Sequence, residues 1–164
     1  ISGVITKPIW RRSFQALFID KLNEEKAVEK SRVDDIDAFK GVSIMLAEDN
    51  KVNQIVTKKI FKKLGLTLEV AENGQVAIDK FKDKQFDLIL MDLHMPDVDG
   101  YKATEEIRKL NNVKQPHIVA FSANIFNQNK SEFESQGFNF VLSKPAKVND
   151  VVELLNNVKK KIKA

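Results

Sequence analysis

The sequence contains no cysteine, which excludes disulfide bonds and thiolate metal sites and is typical of a reducing compartment. Apolar runs stay well short of the roughly 20 residues that a membrane-spanning helix needs, so we expect no membrane contact from this chain. A signal peptide and an initiator Met are also missing. We therefore expect a cytoplasmic piece of a longer protein, and a membrane anchor on the parent protein is left open.

The net charge of +4 raises the question of a nucleic-acid partner. Much of the excess lies in the last residues, where Lys159, Lys160, Lys161 and Lys163 complement the dipole of a final helix. No helix-turn-helix or zinc-finger pattern accompanies these lysines, so we expect no binding to nucleic acid. Apolar residues form 43% and charged residues 30% of the 164 residues, which indicates one globular domain with an extension.

Apolar, β-branched segments alternate with helical patterns along most of the chain. The expected strands are 42–47, 66–71, 86–91, 117–121 and, more weakly, 139–142. The first helical pattern carries an apolar stripe of Val52, Ile55, Val56, Ile60 and Leu64, and it stops at Gly65, a plausible left-handed cap. Further helical patterns cover 74–83, 101–110, 130–136 and 148–162. This alternation predicts an α/β fold with a parallel sheet and helices on both faces.

Residues 1–40 do not follow this alternation. An amphipathic helix is expected from Trp10 to Leu22, followed by a segment that is rich in charged side chains. The Lys7-Pro8 pair ahead of that helix echoes Lys144-Pro145 ahead of the last helix. We expect the helix either to pack its apolar face on the rest of the chain or to form a homodimer through that face.

Polar side chains follow four of the five expected strands. Glu48 and Asp49 follow the first, Asp92 the third and Ser122 the fourth, while Lys144 lies just past the fifth. Ligands of such sheets bind at the carboxyl ends of the strands. The sequence therefore predicts that these five side chains converge on one site.

The residue types in this set suit phosphoryl transfer to an aspartate. Carboxylates held together repel one another unless a cation lies among them, and an all-oxygen donor set favours Mg²⁺. Asp92 can then act as a nucleophile that forms an acyl phosphate. Mg²⁺, Lys144 and the Ser122 hydroxyl would neutralise charge on the phosphoryl oxygens.

Structural roles are the alternative for each residue taken alone. Glu48 and Asp49 could cap the helix that begins near Lys51, and Asp92 could be a turn residue. Ser122 could be a buried hydroxyl bonded to backbone, and Lys144 a surface charge. The five positions together at strand ends favour the functional interpretation.

Four segments resemble the signature segments of the response-regulator receiver family. They are MLAEDN at 45–50, LMDLHMPDVDG at 90–100, FSA at 121–123 and LSKP at 142–145. The resemblance implies a flavodoxin-like, doubly wound, five-stranded parallel sheet in the order 2-1-3-4-5. It covers about three quarters of the chain.

The resemblance also implies a role for each site residue. Asp92 corresponds to the phosphoacceptor, and Glu48 with Asp49 to the acidic pair that holds Mg²⁺ together with the backbone carbonyl of His94. Ser122 corresponds to the hydroxyl that turns toward the phosphate. Lys144 corresponds to the phosphate-binding lysine, in a peptide that is typically cis before Pro145.

The partners implied by the resemblance are a histidine kinase or a histidine phosphotransfer domain. Family members take the phosphoryl group from a phosphohistidine and catalyse hydrolysis of their own acyl phosphate. One departure concerns the family's switch aromatic, three residues before the lysine, where this chain has Val141. The adjacent Phe140 should point to the opposite face of the strand, because side chains alternate along a strand.

The family assignment gives residues 1–40 a meaning. They resemble the tail of an upstream receiver-like module followed by a charged linker, and the resemblance implies that residues 41–164 form the receiver domain. Such tandem modules are typical of hybrid sensor histidine kinases, so we expect this chain to come from the C-terminal part of one. The alternatives are a free-standing response regulator, a receiver-like interaction module that does not turn over phosphate, and another aspartyl-phosphate enzyme such as a small phosphatase.

Overall fold

The computed structural model describes residues 36–163 except 112, 126 and 127. After a short 3₁₀ turn at Ile36–Phe39, strands and helices alternate without interruption. The strands are β1 (Ile44–Ala47), β2 (Glu69–Ala71), β3 (Leu88–Asp92), β4 (His117–Ser122) and β5 (Phe140–Ser143). The helices are α1 (Lys51–Lys63), α2 (Gly74–Asp83), α3 (Gly100–Lys109), α4 (Lys130–Ser135) and α5 (Val148–Lys163).

The five strands form one sheet in the order β2-β1-β3-β4-β5, and all neighbouring strands are parallel. The flavodoxin-like fold with the order 2-1-3-4-5 is thus confirmed. The order reverses direction at β1, so β1 and β3 are neighbours and their carboxyl ends lie side by side. That is the position where ligands of doubly wound sheets bind.

Helices cover both faces of the sheet, as the continuous apolar strands predict. Alternate strand residues such as Leu46, Leu90 and Phe121 pack against α1 and α5 in one core. Residues between them, such as Ala47, Met91 and Ala120, pack in a second core against α2, α3 and α4. Gly65 ends α1 with a φ of 76°, which confirms the left-handed cap.

The prediction of one apolar face on α1 is partly wrong, because three residues of that stripe do not face the core. Val52, Ile55 and Val56 are 67%, 52% and 41% exposed. The buried face of α1 consists instead of Gln54, Thr57, Ile60 and Phe61. A polar residue can occupy the buried face because the Gln54 Nε2 amide donates to the carbonyl oxygen of Glu48 at 2.7 Å.

The compact unit that contains the sheet begins at Ile36. Phe39 is 4% exposed and belongs to the core beneath α1 and α5. The predicted helix from Trp10 to Leu22 and the Lys7-Pro8 echo lie outside the described residues, so the division at residue 40 stays a prediction. Among the residues that the structure describes, no helix is both long and apolar enough to cross a membrane.

Candidate functional site

The carboxyl ends of the strands bring the predicted site residues to one edge of the sheet. Glu48 and Asp49 directly follow β1, Asp92 and Ser122 are the last residues of β3 and β4, and Lys144 directly follows β5. Carboxylate oxygens of Glu48, Asp49 and Asp92 all lie within 4.8 Å of one another. The three acidic residues that follow or end two different strands therefore form one cluster.

Asp92 is 3% exposed, and both of its carboxylate oxygens have a partner. Oδ2 lies 2.9 Å from Lys144 Nζ. Oδ1 accepts a hydrogen bond from the backbone N–H of His94 at 3.1 Å. Lys144 Nζ also lies 5.0 Å from the centre of the Phe121 ring, so the ammonium is held between a carboxylate and an aromatic face.

Glu48 is completely buried, and burial raises the pKa of its carboxyl group. The nearby charge of Asp92 also raises this pKa, whereas Lys144, whose Nζ lies 2.6 Å from Glu48 Oε2, and Asn53 lower it. One ammonium thus contacts two acids in a cluster of three. A cation among the three carboxylates would favour the charged form of Glu48.

Two residues that orient Glu48 were not predicted to belong to the site. The Asn53 side-chain amide donates to Glu48 Oε1 at 3.2 Å, and Gln54 bonds the Glu48 backbone carbonyl. Both lie in the first turn of α1, which Asn50 caps by accepting hydrogen bonds from Val52 and Asn53 backbone N–H groups. The available signal was the pair of amide residues Asn53 and Gln54, close after the acidic pair.

Ser122 and Lys144 are linked through the backbone. The N–H of Lys144 donates to the carbonyl oxygen of Ser122 at 2.9 Å, beside the register pair of Ser122 and Ser143. The Ser122 hydroxyl oxygen is buried and accepts from the backbone N–H of Asn124 at 3.1 Å. The Lys144–Pro145 peptide is cis, which confirms that prediction.

A glycine allows α3 to begin against the backbone of Asp92. A Cβ atom on Gly100 would lie 2.1 Å from the carbonyl oxygen of Asp92, so no other residue fits there without a shift. The N–H of Gly100 donates to the carbonyl oxygen of Leu93 at 3.1 Å. The first turn of α3 is therefore tied to the end of β3.

Val141 and Phe140 point to opposite faces of the sheet, as strand alternation predicts. Phe140 packs on the core beneath α1 and α5, and Val141 packs on the core beneath α2, α3 and α4. Phe140 is therefore not positioned to replace the switch aromatic that the family has at the position of Val141.

The family model for the response regulator receiver domain matches residues 44–156. Among curated proteins, the chain is 31% identical to "Probable histidine kinase 1" from Oryza sativa subsp. indica, over 82% of this chain and 17% of that protein. It is 41% identical to hybrid signal transduction histidine kinase H of Dictyostelium discoideum, over 65% of this chain and 8% of that protein. The chain thus spans less than a fifth of the length of these relatives.

Solved structures give the same family. The receiver domain of sensor histidine kinase PA1611 from Pseudomonas aeruginosa, with a magnesium ion in its active-site cleft, matches with 33% identity and a TM-score of 0.65. That match covers 73% of this chain and 98% of the other. The Saccharomyces cerevisiae receiver domain of Ssk1, in complex with the histidine phosphotransfer protein Ypd1, gives 25% identity and a TM-score of 0.65 over 74% and 90% of the two chains.

The family match extends over more than two thirds of the chain, and it includes all five strands and the acidic edge. This chain belongs to the response-regulator receiver domain family of two-component signalling.

Proposed function

We propose that Asp92 accepts a phosphoryl group from a phosphohistidine on a partner protein. The observation that carries the proposal is the cluster of Glu48, Asp49 and Asp92 within 4.8 Å, with Lys144 Nζ 2.9 Å from Asp92. A carboxylate oxygen of Asp92 attacks phosphorus, the bond from phosphorus to the imidazole nitrogen breaks, and the imidazole leaves with its electron pair and takes up a proton. The product is an acyl phosphate on Asp92.

Mg²⁺ fits this cluster because every side-chain donor in it is a carboxylate oxygen. Glu48, Asp49, Asp92 and the backbone carbonyl of His94 are the proposed ligands. When bound, the ion supplies positive charge that offsets the charge on the phosphoryl oxygens. Lys144 and the Ser122 hydroxyl are proposed to bind the remaining phosphoryl oxygens.

The proposed parent protein is a hybrid sensor histidine kinase, and the proposed phosphodonor is a histidine kinase or a histidine phosphotransfer domain. Support comes from the two histidine kinase relatives and from the Ypd1 complex of a related receiver domain. A free-standing regulator is the alternative for the parent protein. A cytoplasmic location stays a prediction.

The exposed stripe of Val52, Ile55 and Val56 is the proposed contact for that partner. These three side chains lie at i, i+3 and i+4, so they share one side of α1. The stripe begins at Val52, three residues after Asp49, and so lies close to the acidic edge. A histidine phosphotransfer domain seated on the stripe would therefore bring its surface over Asp92.

Phosphorylation by a small donor tests the proposed chemistry without any partner protein. The wild type is incubated with Mg²⁺ and acetyl phosphate, and intact mass is measured. We expect the wild type to gain one phosphoryl group and Asp92→Asn to gain none. Asp97→Asn is the matched control, because Asp97 is an exposed carboxylate in the same loop and Asn tolerates its positive φ.

An unmodified wild type, or an Asp92→Asn variant that still gains the phosphoryl mass, would contradict the proposal. The first result would favour a receiver-like interaction module that does not turn over phosphate.

A further inference from the structure

Tyr101, in the first turn of α3, connects the segment that follows Asp92 with the segment that follows Ser122. It directly follows Gly100, which packs on the Asp92 backbone. Its hydroxyl donates a hydrogen bond to Gln128 Oε1 at 3.3 Å, and Gln128 lies in the segment that follows Ser122. Tyr101 therefore links the start of α3 directly to the segment between β4 and α4.

Three hydrogen bonds connect the Ser122 hydroxyl with the Tyr101 hydroxyl. The Asn124 backbone N–H donates to Ser122 Oγ at 3.1 Å. The next residue, Ile125, accepts at its carbonyl oxygen from the Gln128 N–H at 3.4 Å. Gln128 Oε1 then accepts from Tyr101. A change in the Ser122 hydroxyl therefore has a short connected route to the Tyr101 ring.

The Tyr101 ring, at the other end of this route, packs against buried aromatic side chains. The Tyr101 ring contacts Phe138 edge to face at 5.8 Å, and Phe138 contacts Phe133 in the same way at 6.1 Å. Phe138 and Phe133 are each 2% exposed, so they form a fixed base between α3 and α4. Val141, where the family has its switch aromatic, packs on the same core but carries no ring and no hydroxyl.

We propose that Tyr101 is the positioning residue that reports the phosphorylation state of Asp92 on the surface between α3 and α4. The inference rests on the proposed function. When Ser122 Oγ turns to a phosphoryl oxygen on Asp92, it releases the Asn124 N–H, and the Tyr101–Gln128 hydrogen bond opens. Tyr101 and Gln128 line one groove of about 790 Å³ together with His94, so the opening changes the wall of that groove.

The strength of the Tyr101–Gln128 bond suits a switch. The bond is solvent-exposed, and its donor–acceptor distance of 3.3 Å is longer than usual for a hydroxyl donor, so it is weak. A bond this weak opens when the segment that carries Gln128 shifts after the Ser122 hydroxyl has released the Asn124 N–H.

Tyr101 is the one tyrosine of the whole chain, so its signal can be followed without assignment. The full chain is labelled with tyrosine that carries ¹³C at Cζ, the atom bonded to the hydroxyl. Its single resonance is recorded before and after incubation with Mg²⁺ and acetyl phosphate, and intact mass is measured on the same sample. We expect the resonance to move on phosphorylation to the position found in unphosphorylated Gln128→Ala.

Gln128→Ala separates loss of the hydrogen bond from the added charge. Phosphorylated Gln128→Ala should show little further movement, because its bond is already absent. A phosphorylated wild type with an unmoved resonance, or equal movement in Gln128→Ala, would overturn the inference and leave the proposed chemistry intact. A wild type that gains no phosphoryl mass would overturn the proposed function itself.

Discussion

Single buried residues in this domain differ in how well their polar atoms are satisfied. Thr104 in α3 is fully buried, and its hydroxyl oxygen has no hydrogen-bond partner among the described residues. The side-chain amide of Gln54, which is also buried, instead donates to the backbone carbonyl oxygen of Glu48 at 2.7 Å. Burying an unpaired hydroxyl costs about 1–3 kcal/mol, so Thr104 is a point where the fold is less stable than its packing allows.

We expect Thr104→Val to raise the free energy of unfolding by roughly 1 kcal/mol, because it keeps the shape of the side chain and removes the unpaired hydroxyl. Thr104→Ser is the matched control, since it keeps the hydroxyl and loses the methyl group, and it should destabilise by about 1 kcal/mol. Urea unfolding of the three proteins measures both differences. A destabilised Thr104→Val would show that the hydroxyl is satisfied in solution.

At the scale of secondary structure, the sequence predicted every strand and helix of the described domain but not every face. The continuous apolar runs located all five strands, although β2 is limited to Glu69–Ala71 and leaves the predicted residue Leu66 in the preceding loop. Leu66 is nevertheless buried, which explains why hydrophobicity alone extends the strand. Strand boundaries depend on backbone pairing, which composition does not encode.

The α1 stripe failed as a core prediction for a different reason. Val52, Ile55 and Val56 have the periodicity of a buried face, and periodicity cannot distinguish a core from a protein-binding surface. The decisive contact is the Gln54 side chain on the Glu48 carbonyl, which turns a polar residue inward. The strand-end acids were easier to predict, because all carboxyl ends of a parallel sheet lie on one edge.

We expect Ile55→Ser to slow phosphotransfer from a phosphorylated histidine phosphotransfer protein by roughly tenfold, the equivalent of about 1.4 kcal/mol. The partner protein is first shown to phosphorylate the wild type. Phosphorylation by acetyl phosphate should be unchanged, because the small donor needs no docking surface. Lys62→Ser, an exposed change near the far end of α1, is the control that should affect neither reaction.

If Ile55→Ser slowed phosphorylation equally with both donors, the substitution would act on the phosphorylation site around Asp92 and not on docking of the partner. An unchanged transfer from the protein donor would exclude the stripe as its contact surface.

At the scale of the whole domain, stability depends on the charges at the acidic edge. Three carboxylates lie within 4.8 Å of one another, and the Lys144 ammonium pairs with two of them. Without a cation this arrangement destabilises the folded state through repulsion, and unfolding separates the charges. If Mg²⁺ binds as proposed, the same charges would stabilise the folded state, because the unfolded chain has no such site.

We therefore expect Asp49→Asn to stabilise the domain without Mg²⁺ and to make it less stable than the wild type when Mg²⁺ is present. In excess chelator, Asp49→Asn should unfold at a higher temperature than the wild type, because one repelling charge is removed. At a Mg²⁺ concentration of 100 times the dissociation constant, the wild type should gain about 2.7 kcal/mol and become the more stable protein. Asp83→Asn removes an equal charge at the end of α2 and should leave the Mg²⁺-dependent gain intact. Thermal unfolding with and without Mg²⁺ measures all three proteins, and a gain retained in Asp49→Asn would remove Asp49 from the proposed ligand set.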